Sequence, residues 1–80
     1  MPSIHREGSY RFFFYAGDHP PPHVHVERDG RAVKFLLRPV RLVLNDGFNA
    51  RDLAKIERMV QDNVHRLEDA WHGHSGKPAR

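Results

Sequence analysis

Residues 23–37 read His-Val-His-Val-Glu-Arg-Asp-Gly-Arg-Ala-Val-Lys-Phe-Leu-Leu, and this stretch decides the fold. Residues 23–27 alternate between polar and apolar types, which is the period of a strand with one buried face. The Asp-Gly pair at residues 29–30 is a two-residue type I′ hairpin signal, so it pairs Arg28 with Arg31 and sets the register of two strands. In this register the apolar residues of one face oppose each other: Val26 with Val33 and Val24 with Phe35. The stretch therefore predicts a hairpin with one apolar face and one open face.

The neighbouring segments add further strands and a helix to this hairpin. Residues 10–15 are aromatic enough to form a strand, and residues 40–44 are predicted to form a fourth short strand. Asn49 is a good N-cap, and residues 50–72 carry an apolar stripe at spacings of three and four: Leu53, Ile56, Val60, Val64, Leu67 and Trp71. The sequence therefore predicts an α+β fold, in which one long C-terminal helix packs on a three- to four-stranded antiparallel sheet.

The composition predicts one domain that spans residues 1–80. We expect residues 1–9 to be a loose lead-in and residues 74–80 to be a frayed tail. The chain contains no cysteine, and no apolar run approaches the roughly 18 residues of a membrane span. We therefore expect a cytoplasmic protein without a signal peptide or a membrane segment. The net charge of +3 permits contact with nucleic acid but is not the concentrated basic stripe of a dedicated binder.

The histidine- and proline-rich segment Asp18–Glu27 is the predicted functional surface. Alternation turns His23 and His25 away from the helix, and the hairpin register places Lys34 beside His25. A lysine beside imidazoles suits a phosphate or a carboxylate group. We predict a binding surface formed by four residues: His19, His23, His25 and Lys34.

The two strand histidines also fit part of a metal site. His-x-His on a strand presents two imidazoles to one ion, so His23 and His25 are candidate zinc ligands. The candidates for a third ligand are Asp18, His19 and Glu27. Lys34 opposes this interpretation, because a neighbouring cation repels a divalent metal. A further alternative is that both histidines are solvated strand residues without a specific role.

Catalysis would have to rest on histidine acid–base chemistry. The chain contains no glycine-rich phosphate loop, no G-x-S-x-G motif and no H-E-x-x-H motif. Imidazoles with Lys34 or an arginine are the groups that a metal-independent ribonuclease uses. The aromatic run at residues 10–15 either stacks on RNA bases or is divided between the core and the open face.

The run Asp18–Val26 is similar to a motif of a family of small bacterial proteins known as domain of unknown function 4160. The Pro-Pro-His-x-His core of that family is present at residues 21–25. Two later stretches extend the resemblance over most of the chain: Pro39-Val40-Arg41-Leu42 with Asn45 and Gly47-Phe48, and the helix end Ala70-Trp71. Two positions depart from the pattern, since Val24 stands where many relatives have Phe and Glu68 occupies a commonly apolar helix position.

The resemblance implies a compact cytoplasmic protein with helices and strands, often encoded beside another small gene. By analogy of gene arrangement, the resemblance suggests one component of a toxin–antitoxin pair. We therefore predict a binding module that contacts a partner protein or RNA as part of a toxin–antitoxin-type two-gene system. The alternatives are a histidine-dependent ribonuclease-like toxin and a protein that binds metal through His23 and His25.

Overall fold

The computed structural model describes residues 3–15 and 19–74, which form a five-stranded antiparallel sheet and two helices. The strands are β1 Ser3–Glu7, β2 Tyr10–Phe13, β3 His23–Arg28, β4 Arg31–Leu37 and β5 Val40–Asp46. The helices are α1 Ala50–Asp62 and α2 Val64–His74. Neighbouring strands follow chain order, so β1 and β5 are the two edges of the sheet. Neither helix has the length and apolar content that crossing a bilayer requires, as far as the described residues extend.

The β3–β4 hairpin has the predicted register. Asp29 and Gly30 have φ angles of 52° and 79°, and a type I′ turn requires this left-handed region at both central residues. Val26 pairs with Val33, and Val24 pairs with Phe35. The predictions of the turn, the register and the α+β class are confirmed.

The core lies between the helices and one face of the sheet. The sheet contributes Phe12, Val24, Val26, Val33 and Phe35, and the helices contribute Ile56, Val60, Leu67 and Trp71. All of these side chains are almost fully buried. Burial of each large apolar side chain stabilises the fold by about 1.5–3 kcal/mol. Tyr10 and Phe14 also belong to this core.

Residues 1–9 are not a loose lead-in over their whole length, so that prediction was wrong. Ser3–Glu7 form β1, which pairs with β2 through a turn at Gly8, where φ is 59°. The strand contains a single large apolar residue, Ile4, which packs against the core. One apolar residue cannot show a periodicity. Strand β1 is therefore stabilised by its pairing with the aromatic β2, and not by an apolar pattern of its own. The sheet accordingly has five strands rather than three or four.

The predicted single helix over residues 50–72 is divided at Asn63. The backbone N–H of Asn63 donates to the carbonyls of Met59 and Val60, and its side-chain Nδ2 donates to the Met59 carbonyl at 2.8 Å. A side-chain donor at the i−4 carbonyl competes with the helical hydrogen bonds. The apolar stripe continues from α1 into α2, which is why periodicity alone predicts one helix. α2 ends at His74, and residues 75–80 of the predicted tail lie outside the described part of the chain.

An ion pair joins the β4–β5 turn to α2. The Arg38 guanidinium donates from Nε and Nη2 to the two carboxylate oxygens of Glu68, at 2.8 and 2.9 Å. Glu68 is only 8% exposed. The hydrogen bond and the charge of Arg38 lower the pKa of Glu68 and outweigh the opposing effect of burial. A paired carboxylate is therefore tolerated at a helix position that the resemblance marks as commonly apolar.

The core assignment predicts opposite outcomes for two identical substitutions in the same sheet. Val24→Asp would bury an unpaired carboxylate, so we expect a loss of at least about 3 kcal/mol in the free energy of unfolding. Val43 lies on the exposed edge strand β5, and Val43→Asp should cost less than about 1 kcal/mol. Urea denaturation followed by circular dichroism measures both. Equal losses for the two variants would contradict the assignment.

The lowered pKa of Glu68 predicts a pH-dependent contribution to stability. The folded-state pKa lies below the unfolded value, so the ion pair stabilises the protein at neutral pH and is lost as pH falls through the folded-state pKa. Glu68→Gln should therefore lower Tm at about pH 7, and the difference from wild type should narrow as pH falls below the ordinary glutamate pKa of about 4.3 and through the lowered folded-state pKa. Glu57→Gln, at an exposed position of α1, is the matched control and should change Tm little over the same pH range. A Tm difference for Glu68→Gln that does not narrow as pH falls would contradict this role for the carboxylate.

Candidate functional site

Three of the four predicted binding residues line one pocket on the face of the sheet opposite the helices. The pocket has a volume of about 500 Å³, and we call it the Lys34 pocket. Its lining residues are His19, Pro20, Pro21, His23, Lys34, Leu36 and Val43. These residues come from the proline-rich segment and from β3, β4 and β5. The pocket therefore depends on the assembled sheet.

His25, the fourth predicted residue, lines a neighbouring pocket of about 240 Å³ on the same face. That pocket also contains Tyr15, Ala32, Val33, Lys34, Leu44 and Asp46. Lys34 belongs to both pockets, and its backbone pairs with His25 on β3 and Leu44 on β5. The Lys34 side chain is thus the common element of the open face.

Two hydrogen bonds hold the proline-rich segment against the sheet. Proline has no N–H, so a proline run can enter a hydrogen bond only through its carbonyls. The Leu37 N–H donates to the Pro22 carbonyl at 3.1 Å, and His23 Nδ1 donates to the Pro21 carbonyl at 2.9 Å. These two bonds hold Pro21 and Pro22 beside the sheet at the wall of the Lys34 pocket. The second bond also places the hydrogen of a neutral His23 on Nδ1, because a carbonyl can only accept.

His23 is not solvated, and that alternative was wrong for this residue. The strand register agrees with the prediction, since His23 pairs with Leu36 and His25 with Lys34. However, His23 is only 4% exposed, and its ring lies 4.9 Å from the Trp71 ring between centroids. His23 is the first residue of β3, so it lies at the end of the sheet, where Trp71 of α2 reaches it. Alternation along a strand predicts the face of the sheet on which His23 lies. It does not predict that a residue near the end of a helix, here Trp71, covers the imidazole ring.

His25 lies within a row of rings on the open face. Its ring stacks on Phe13 at 5.5 Å, and it contacts the edges of Tyr15 at 4.5 Å and His23 at 5.1 Å. Phe13 is buried, whereas Tyr15 is 46% exposed. Together with Tyr10, Phe12 and Phe14 in the core, this confirms that the aromatic run is divided between the core and the open face.

The accessible nitrogen atoms limit the chemistry of the site. The Nε2 atoms of His23 and His25 are both shielded from solvent. A general acid or base must reach the proton that it transfers, and these two atoms do not reach a substrate in this arrangement. His19 is the exposed imidazole of the predicted set. The arrangement thus favours contact over proton transfer.

The predicted zinc ligands do not converge in the described part of the chain. No group of three His, Cys, Asp or Glu side chains in residues 3–15 and 19–74 is arranged to hold a metal ion. Glu27, one candidate third ligand, forms an ion pair with Arg11 instead. Asp18, another candidate, lies outside the described residues. His23 would have to bind through its shielded Nε2, since Nδ1 donates to Pro21.

A β-bulge adds two apolar side chains that the sequence did not assign to the site. Lys34 pairs with Leu44 and Phe35 pairs with Leu42, so Val43 is an extra residue in β5. A bulge redirects side chains locally, and here Val43 lines the Lys34 pocket while Leu44 lines its neighbour. The two side chains are 48% and 62% exposed. The run Leu42-Val43-Leu44 breaks the alternation of a half-buried strand, and that break was the available signal.

The charge of the Lys34 pocket favours an anion. Its described lining contains one ammonium group and two imidazoles, without a carboxylate. Leu36, Val43 and the proline rings supply the apolar part. A ligand that fits this pocket carries an anionic group next to an apolar one.

The burial of His23 predicts a difference between two histidines of the same pocket. His23→Ala removes a ring packed against Trp71, so we expect a loss of about 1–3 kcal/mol in the free energy of unfolding. His19→Ala, at the exposed rim, should cost less than about 0.5 kcal/mol. Chemical denaturation measures both variants under the same conditions. If His23→Ala proves as stable as His19→Ala, the ring does not contribute to packing at the end of the sheet.

Comparison with known proteins identifies the family. No curated protein and no solved structure gives a significant match to the chain. The sequence model of the family described as a domain of unknown function, DUF4160, matches residues 9–72. The matched range includes β2 to β5, α1 and most of α2, together with the residues of the Lys34 pocket. The chain belongs to the DUF4160 family.

Proposed function

We propose that this chain is a cytoplasmic binding module, one half of a toxin–antitoxin-type two-gene system, and that it contacts the protein encoded by the neighbouring gene. The open face of the sheet is the contact surface. The observation that carries the proposal is the Lys34 pocket, in which a lysine lies among imidazoles and exposed apolar side chains. An apolar patch with a polar rim is typical of a protein interface.

The chemistry of the pocket defines the partner as acidic. Lys34 is half-buried, and it forms no ion pair within the part of the chain that the structure describes. A carboxylate from the partner would supply that counter-charge, while Val43 and Leu44 would cover an adjacent apolar side chain. The net charge of +3 also favours an acidic partner, because complementary charge accelerates encounter.

Two alternatives receive less support from the geometry. A histidine-dependent ribonuclease needs imidazole nitrogens at the substrate, and the Nε2 atoms of His23 and His25 are shielded. A metal-binding role needs further ligands, and none converges with these two histidines in the described residues. His23 could take part in either alternative only if its ring moved from its contact with Trp71.

One observation favours RNA as a second candidate partner. Tyr15 is exposed, and it lines the same pocket as Lys34. An exposed aromatic ring beside a cation is the arrangement in which a base stacks while its phosphate is neutralised. Asp46 in the same lining opposes this candidate, because its carboxylate repels a phosphate. The acidic protein therefore remains the first candidate.

Reversal of the Lys34 charge tests the proposal directly. Lys34→Glu would oppose an acidic partner, so we expect its affinity for the neighbouring gene product to fall by about tenfold or more. Lys55→Glu is the matched control, because Lys55 is an exposed lysine of α1 and lies outside both open-face pockets. Co-expression followed by affinity purification and titration calorimetry measures the difference.

A nuclease treatment distinguishes the two partner classes in the same experiment. Capture that survives nuclease and is lost with Lys34→Glu supports a protein partner. Capture that disappears with nuclease, with an affinity that falls steeply as salt rises, would instead identify RNA. Wild-type affinity of Lys34→Glu for both classes would exclude the open face as the contact surface.

A further inference from the structure

β5 is an edge strand with apolar side chains exposed on both sides. Leu42, Val43 and Leu44 are all at least 41% exposed, and no strand within residues 3–15 and 19–74 pairs with the outer edge of the β5 backbone. The other edge, β1, is different, because Arg6 and Glu7 are its exposed side chains and Ile4 is packed inward. Charged residues protect an edge against pairing, whereas an apolar edge is a template for another strand. The asymmetry singles out β5 as an interaction surface.

We infer that β5 pairs antiparallel with β5 of a second copy of this chain, which joins two sheets across a two-fold axis. This inference concerns self-association, and it goes beyond the proposed function. It rests on the distribution of side chains along β5, on the bulge at Val43, and on the charges at the two ends of the strand.

The bulge determines which residues of β5 share a face. Residues that pair across a sheet lie on the same face. The partners of β5 on β4 therefore place Arg41, Leu44 and Asp46 on the open face, because they pair with Leu36, Lys34 and Ala32. Val43 also lies on this face, in the Lys34 pocket. Leu42 and Asn45 pair with Phe35 and Val33, and so lie on the helix face.

One register of a β5–β5 pair matches these faces along residues 41–46. It sets Val43 opposite Leu44 of the second copy, Leu42 opposite Asn45, and Arg41 opposite Asp46. A regular strand cannot adopt this register, because adjacent residues such as 43 and 44 would lie on opposite faces. The bulge places both on the open face and makes the register consistent. A shift by one residue in either direction sets Leu42 against a residue of the open face.

The same register is complementary in charge. Arg41 and Asp46 are exposed, and neither forms an ion pair within the described part of the chain. In the two-fold pair each arginine faces the aspartate of the other copy, so two ion pairs flank a centre of four apolar side chains. Opposite charges across strands stabilise a pair, and like charges destabilise it. Along β5 a cation comes first, an apolar centre follows, and an anion comes last. This order is complementary to itself when two copies of the strand pair antiparallel.

The pairing would bring two binding surfaces together. Lys34 lies on β4, directly behind β5, so two copies would place their Lys34 backbones about 14 Å apart across three strand spacings. The Lys34 pockets of both copies would then lie on one continuous open face. Self-association uses the backbone edge of β5 and leaves the Lys34 side chain on that face.

Charge reversal with rescue tests the pairing. Sedimentation equilibrium of the wild-type chain should show a monomer–dimer equilibrium with a dissociation constant below about 0.5 mM. Arg41→Asp and Asp46→Arg should each weaken the dimer by about tenfold or more, because each sets like charges opposite each other twice. The double variant Arg41→Asp, Asp46→Arg restores opposite charges and should regain the dimer. Arg6→Asp, on the exposed part of the β1 edge, should leave the equilibrium unchanged.

Engineered cysteines test the register, since the chain contains none of its own. Opposed residues in an antiparallel pair lie about 4.5–5.5 Å apart between Cα atoms, which a disulfide can span. A mixture of Val43→Cys and Leu44→Cys chains should therefore form the mixed disulfide faster than either variant links to itself. Faster self-linkage of Val43→Cys would show a different register and overturn the inference.

Two results would overturn pairing through β5. One is a wild-type chain that stays monomeric over the whole concentration range. The other is a dimer that ignores the charge reversals while all variants melt like wild type. Lys34→Glu should remain dimeric, so a failure of this inference is distinguishable from a failure of the proposed partner contact.

Discussion

The register of the β3–β4 hairpin is the constraint on which the rest of the structure depends. The Asp29-Gly30 turn, with both φ angles in the left-handed region, pairs Val26 with Val33 and leaves no freedom for the residues before and after it. Side chains alternate with a period of two, so a slip of one residue would reverse both faces. His25 would then lie under the helices, and the valines would face solvent. The core and the candidate site are thus two consequences of one turn.

Sequence reasoning succeeds where the relevant interaction is local. The turn type and the strand period act over a few residues, and they correctly predict the hairpin and the apolar stripe of the helices. It fails where distant segments meet. β1 has almost no pattern of its own and is held by β2. The division of the helix is a local exception, because the side chain of Asn63 donates to a carbonyl of the preceding turn while the apolar stripe continues unchanged. The contact of Trp71 with His23 joins residues that are 48 positions apart in the sequence (71 − 23).

The candidate site was predicted in part for the same reason. His19, His23 and Lys34 were expected on one surface, and they line one pocket. The apolar half of that surface was missed, because Val43 and Leu44 share a face only through a bulge. His23 is also buried, whereas alternation along the strand predicts an exposed side chain. Its Nδ1–H holds the Pro21 carbonyl and its ring packs on Trp71, so it stabilises the wall of the pocket, while Lys34 and His19 form the accessible part.

The bulge in β5 connects the two proposed interactions. An edge strand usually resists association through bulges or charge. In this chain the bulge instead moves a second apolar side chain to the open face, where it borders the Lys34 pocket. The bulge also reverses the alternation of side chains between the two faces of β5 beyond Val43. The self-complementary register requires this reversal. A partner on the open face would bind through Lys34 and the apolar side chains beside it, whereas a second copy would add backbone hydrogen bonds along the free edge of β5 and ion pairs between Arg41 and Asp46. Both contacts use Val43 and Leu44. Pairing of two β5 strands would therefore change the apolar part of the surface that a partner meets, from the side chains of one copy to a strip formed by two copies with a Lys34 on either side.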